Sequence, residues 1–80
     1  ASAPAGGFIS ISFSGNLAVI KTRPGYASGI AYDIDTDAVS DDILGTIAGD
    51  DTILVILSDH TSKTAALKVL AQFIPAINDL

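Results

Sequence analysis

The stretch "LGTIAGDDTILVIL", Leu44 to Leu57, decides how this chain folds. Two strongly apolar runs flank Gly49, Asp50 and Asp51, and short apolar runs separated by turn residues predict a strand hairpin. Its second arm, "ILVIL" at 53–57, is apolar on both faces, which suits a strand in a sheet covered on both sides. The tip is the unexpected part. Adjacent carboxylates repel each other, and an Asn-Gly pair would turn the chain without that cost.

Upstream, "FISISF" (Phe8 to Phe13) alternates apolar residues with serine at period two, the signature of a strand with one solvated face. "SGN" at 14–16 is turn chemistry, and "LAVIKT" (Leu17 to Thr22) is the second arm of a first hairpin. "RPG" at 23–25 stops that strand, with Pro24 suited to the first turn of a helix. A helix is expected from Tyr26 to about Asp35, because Tyr26, Ala27, Ile30, Ala31 and Ile34 recur at three- and four-residue steps. Gly29 weakens it by about 1 kcal/mol relative to Ala, which makes sense where something must approach the helix closely. "DTDAVSDD" at 35–42 reads as a polar loop.

Downstream of the second hairpin, Thr61 or Ser62 can cap a final helix. It is expected to run to about Asn78 with Leu67, Leu70, Phe73, Ile74 and Ile77 facing inward, and Pro75 kinking or shortening its last turn. The element order is therefore β-β-α-β-β-α. It predicts an α+β fold in which a four-stranded antiparallel sheet carries both helices on one face. Two helices cover only that face, so the other is expected to meet a further copy of the chain.

Composition supports the same picture. Eighty residues make one domain, with a small tail or linker expected at 1–7 ("ASAPAGG") and the folded unit at 8–80. A chain this short buries only about 60% of its unfolded surface. Yet 49% of its residues are hydrophobic and its mean hydropathy is +0.51, more apolar surface than one small core can hide. An oligomer would take up the excess. No run reaches the roughly 18 apolar residues that span a bilayer, and the N-terminus lacks the basic start and apolar core of a signal peptide. Without an initiating Met, the chain reads as a fragment or trimmed product. The absence of Cys excludes disulfides and thiolate metal sites and is compatible with a reducing cytoplasm. Net charge is −5, so the chain lacks the basic footprint with which proteins displace counterions from DNA.

All nine acidic residues are Asp, and seven of them fall between 33 and 51, a stretch with no base. Asp37, Asp41 and Asp42 read as a solvated loop, since Asp favours turns and helix ends. Asp50 and Asp51 differ, because a carboxylate on a short tip among apolar residues wants a cation or several N–H donors. A guanidinium offers a bidentate, charge-assisted match. As a general acid and base the pair would have no evident nucleophile beside it. "DIDTD" at 33–37 imitates the start of an EF-hand loop but fails at its sixth and twelfth positions, Ala38 and Leu44, where Gly and Glu are needed. Ser58, Asp59 and His60 name the residue types of a catalytic triad, but neighbours in one loop do not readily converge as a relay, and His60 reads as a surface residue before a helix.

"ILGTIAGDDTILVI" (Ile43 to Ile56) resembles the C-terminal domain of bacterial arginine repressors, and "TRPGYA" (22–27) resembles the segment preceding that family's first helix. The likeness runs without a gap from Gly25 to Gly45 and covers roughly residues 8–80. It implies an L-arginine-binding oligomerisation domain with no catalysis and no metal, from a cytoplasmic regulator of arginine metabolism genes. It further implies trimers pairing into a hexamer, with the corepressor L-arginine where they meet. Operator DNA would be bound by an N-terminal winged helix outside this chain.

Residue by residue, the resemblance makes Asp50 the partner of the guanidinium across the trimer boundary and Asp35 the acceptor of the α-amino group. Thr46 and Ala48 would contact the polar end of the ligand. Ser28 stands where some relatives use Gln, implying a shortened or water-bridged contact. Asp51 is left between two roles, a second ligand contact or a turn-stabilising one, and Gly25 and Gly29 are expected to permit close approach. Two other classes stay in view beside this one: a small oligomeric α/β enzyme subunit using Asp50 and Asp51 as its acid/base pair, and a structural oligomeriser without ligand.

Overall fold

The computed structural model describes residues 7–37 and 41–79. Strands β1 (Phe8–Ser14) and β2 (Leu17–Thr22) form the first hairpin, helix α1 (Ala27–Asp37) follows, and β3 (Ile43–Ala48) and β4 (Thr52–Leu57) form the second. Helix α2 (Lys63–Leu70) and a short 3-10 helix (Pro75–Asp79) close the chain. All strand pairs are antiparallel, in the order β1-β2-β4-β3, so the two hairpins join through β2 and β4.

Alternation sorts the side chains. Ala18 and Ile20 of β2 and Ile53, Val55 and Leu57 of β4 point to the covered face and are buried with Phe8 and Ile43. Both helices close the same cluster, α1 with Ala27, Ala31 and Ile34, α2 with Ala66 and Leu70, and Ile74 and Ile77 complete it. Alanines at the helix–sheet contacts allow the layers to approach closely. The opposite face carries Leu17 and Val19 on β2, which pair with Ile56 and Leu54 on β4, and Ile47 on β3 opposite Leu54. These residues are only half-buried or exposed, Ile47 at 63% and the neighbouring Leu44 at 59%. Nothing among the described residues covers that face. No helix among the described residues is long and apolar enough to cross a membrane.

Three local expectations are corrected. The "RPG" segment is not the first turn of α1. It is a β-turn closed by the Tyr26 N–H donating to the Arg23 carbonyl at 3.2 Å, with Gly25 at φ +87°. Pro then Gly at the two central positions is the pairing a type II turn needs, because only Gly adopts that φ without strain. Tyr26 accordingly lies outside the helix and is 47% exposed, and α1 begins at Ala27 and extends two residues past Asp35. Of the polar loop expected at 35–42, residues 38–40 lie outside the described residues, as do residues 1–6 of the expected tail.

The final helix stops at Leu70 rather than Asn78. Pro75 has no N–H, its ring would clash with the carbonyl four residues back, and it disfavours helical backbone at Ile74. The chain loosens through bonds from Gln72 to Val69 and from Phe73 to Leu70, then resumes as a 3-10 turn. Leu70, Ile74 and Ile77 still reach the core, whereas Leu67 and Phe73 are only partly buried. The start of α2 is capped by Ser62, whose hydroxyl accepts the Ala65 N–H at 3.1 Å. Ser62→Ala is expected to destabilise the domain by about 1 kcal/mol. For a chain of this size that lowers the melting temperature by about 4–8 °C, readable by circular dichroism.

Candidate functional site

The candidate residues gather along the seam between α1 and the edge strand β3. Thr46 lies opposite Val55 and Ala48 opposite Ile53, both of which are buried, so Thr46 and Ala48 project toward the helix-covered side. Helix α1 packs against β3 and presents Ser28 in its first turn and Asp35 near its end. These two are seven positions apart, two helical turns or about 10 Å along one side. At the Asp35 end the seam is closed by a hydrogen bond, the Thr46 hydroxyl donating to Asp35 Oδ1 at 2.9 Å. Asp35 itself is exposed. Ser28 and Ala48 are exposed.

At the other end stands the hairpin tip. The Gly49 N–H donates to the Thr52 carbonyl at 2.8 Å, so Asp50 and Asp51 form a two-residue turn. Its backbone is tied to the type II turn: Gly25 N–H donates to the Asp50 carbonyl at 2.9 Å and Thr22 N–H to the Asp51 carbonyl at 2.8 Å. The two stretches that stand out in the sequence, "TRPGYA" and "GDD", therefore touch. Neither residue of the tip has positive φ, so it is not the mirror-image turn of an Asn-Gly hairpin.

The two tip carboxylates are not equivalent. Thr52 Oγ1 donates to Asp51 Oδ1 at 3.0 Å and accepts from Lys21 Nζ at 2.8 Å. Asp51 is thus held against its own strand with a cation close behind. The Asp50 carboxylate has no hydrogen bond or ion pair among the described residues, and it is exposed. Its backbone is anchored by the Gly25 N–H, so the acidic group projects from a held position on the tip. Lys21 and Thr52, cross-strand partners on β2 and β4, are the members of this site that the sequence reading missed. Strand register would have found them, but the order β1-β2-β4-β3 is needed first.

Other expectations resolve as follows. Gly25 serves its turn's backbone geometry, and a Cβ placed at Gly25 or Gly29 meets no packed neighbour within 4 Å among the described residues. The expected close approach is not made among the described residues. Asp42 is not merely solvated: it accepts twice from the Thr61 hydroxyl, at 3.2 and 3.1 Å, and Oδ1 lies 3.6 Å from His60 Nε2. Ser58 donates its hydroxyl to the Asp41 carbonyl, so Ser58 and His60 both turn to the 41–42 segment instead of forming a relay.

Fold and site together define a small α+β domain of β-β-α-β-β-α order whose sheet edge carries a fixed acidic tip. The profile of the family described as "Arginine repressor, C-terminal domain" matches residues 5–72, and the chain belongs to that family. The match ends before the 3-10 helix. The chain is 62% identical over 72 residues to the arginine repressor of Bacteroides fragilis, covering 90% of this chain and 45% of that protein. It is 58% identical over 71 residues to that of Phocaeicola vulgatus, covering 89% and 44%. To that of Carboxydothermus hydrogenoformans it is 55% identical over 60 residues, covering 75% and 37%. The chain spans less than half the length of these relatives. They are repressors and not enzymes, so the acid/base reading of Asp50 and Asp51 is set aside.

Proposed function

We propose that this chain is the L-arginine-sensing oligomerisation domain of a cytoplasmic transcriptional regulator of arginine metabolism genes. The observation that carries the reading is the Asp50 carboxylate. It is exposed and has no partner among the described residues, on a backbone held in place by the Gly25 N–H. A guanidinium supplies the charge and the paired donors that such a carboxylate lacks. Asp35, oriented by Thr46, takes the ligand's α-amino group, and Ala48 and Ser28 border its polar end. Asp51 steadies the tip through Thr52.

Asp50 and Asp35 lie at opposite ends of the seam, and in this reading one arginine spans two copies of the chain. Without ligand, acidic tips brought together across a boundary between trimers oppose assembly. Arginine neutralises them and touches both sides, so binding and hexamer formation are thermodynamically linked. The uncovered apolar face, with Leu17, Val19, Leu54, Ile56 and the exposed Ile47, is buried between copies within the assembly. A hexamer would then present several operator-binding domains together, raising their effective concentration on paired sites.

Sedimentation velocity with and without millimolar L-arginine, with L-lysine as control, tests this. The expected result is a shift from trimer to hexamer with arginine alone. A monomer indifferent to arginine refutes the reading.

A further inference from the structure

We propose that the Thr22–Tyr26 turn is a strut that couples the Gly49–Asp51 tip to Gly7, the position where the chain enters β1. The strut is read from hydrogen bonds and packing; the ligand that would act through it rests on the function proposed above.

Two sides of one turn make separate connections. On the tip side, Thr22 and Gly25 donate their N–H groups to the carbonyls of Asp51 and Asp50. On the other side, the Arg23 N–H donates to the Gly7 carbonyl at 2.8 Å. Gly7 is buried, at φ +79°, and a Cβ placed there would meet the Tyr26 ring 2.5 Å from Cγ. Only glycine permits that approach and that φ together. Tyr26 therefore lies against the Gly7 backbone like a clamp, although nearly half of its own surface is exposed.

Between these connections the turn is stiff. Arg23 precedes a proline and is confined to extended backbone, Pro24 fixes its own φ, and the turn is closed from Tyr26 to Arg23. The buried Thr22 hydroxyl donates to the same Arg23 carbonyl at 2.9 Å. Both backbone polar groups of Arg23 are thus held, its N–H by the Gly7 carbonyl and its carbonyl by the Thr22 hydroxyl and the Tyr26 N–H. A displacement of the tip has no slack segment in which to dissipate before it reaches Gly7. The family domain is C-terminal in relatives of about twice this length, so chain joining it to the remainder of such a protein would run through the position of Gly7. Ligand held at Asp50 would in this way bias the direction in which the preceding chain leaves the domain.

The experiment is amide hydrogen exchange by NMR on the 80-residue chain, reading Thr22, Arg23 and Gly25 individually in wild type, Tyr26→Ala and Tyr26→Phe. Without ligand, Tyr26→Ala is expected to accelerate exchange at Arg23 and, with it, at Thr22 and Gly25, each by about tenfold. Tyr26→Phe keeps the ring and is expected to match wild type. Acceleration confined to Arg23, or none at all, overturns the strut. With L-arginine added to wild type, all three amides are expected to slow together by about threefold or more. Slowing at Thr22 and Gly25 without Arg23 overturns the coupling and leaves the ligand reading standing. No slowing with arginine refutes the ligand reading, and the ligand-free comparison still decides the strut.

Discussion

Asp50→Asn is expected to weaken L-arginine binding by about 10- to 100-fold in isothermal titration calorimetry, because a hydrogen bond to a charged group contributes about 1.5–3 kcal/mol. The substitution is close to isosteric. It leaves the Gly25 N–H bonded to the residue 50 carbonyl, so the tip keeps its place while its free charge disappears. Asn also replaces one acceptor oxygen with a donor, which faces a guanidinium donor and cannot bond it. The same change removes one of the two adjacent charges that oppose assembly. The variant is therefore expected to associate more readily than wild type without arginine and to respond less to it. Asp51→Asn should lose less affinity, since the Asp51 carboxylate already accepts the Thr52 hydroxyl. Wild-type affinity and wild-type assembly in Asp50→Asn would rule out the proposed role of the tip.

The largest stability effect is expected at Ile53, which is fully buried on the central strand β4. Ile53→Ala removes methyl and methylene groups from the core and leaves a cavity, at a cost of about 2–5 kcal/mol. A chain of this size has a total stability of about 4–12 kcal/mol, so the variant should lose a large fraction of it in urea denaturation. Ile47→Ala is the control from the same sheet. Ile47 is 63% exposed on the uncovered face, and in the monomer its truncation should cost less than about 0.5 kcal/mol. If copies of the chain cover that face, Ile47→Ala should instead shift the midpoint in a manner that depends on protein concentration. A concentration-independent midpoint identical to wild type would place the contact between copies elsewhere.

The strands, the body of α1 and the start of α2 were legible because their signals are local: alternation in "FISISF", apolar residues at helical steps from Ala27 to Ile34, and the Ser62 cap. The type II turn at "RPG" was misread as a helix start because proline suits both, and only the closing bond from Tyr26 to Arg23 separates them. The end of α2 was misread for a related reason. The apolar spacing of Phe73, Ile74 and Ile77 continues the helical rhythm, and Pro75 overrides it on steric grounds. Of the candidate site, the acidic tip was legible as the "GDD" motif. The inequality of its two carboxylates was not, because it depends on Thr52 and Lys21 facing each other across β4 and β2.

Residue pattern alone therefore determined the element order and the presence of an acidic tip, since these follow from neighbours within a few positions along the chain. The strand order was decided by tertiary packing, as were the Thr46–Asp35 bond closing the seam and the turn that holds Gly7 on one side and the Asp50–Asp51 backbone on the other. The physical reason is that β4 inserts between β2 and β3 by burying Ile53, Val55 and Leu57 at the centre of the sheet. Only then do residues far apart in the chain come within hydrogen-bonding distance.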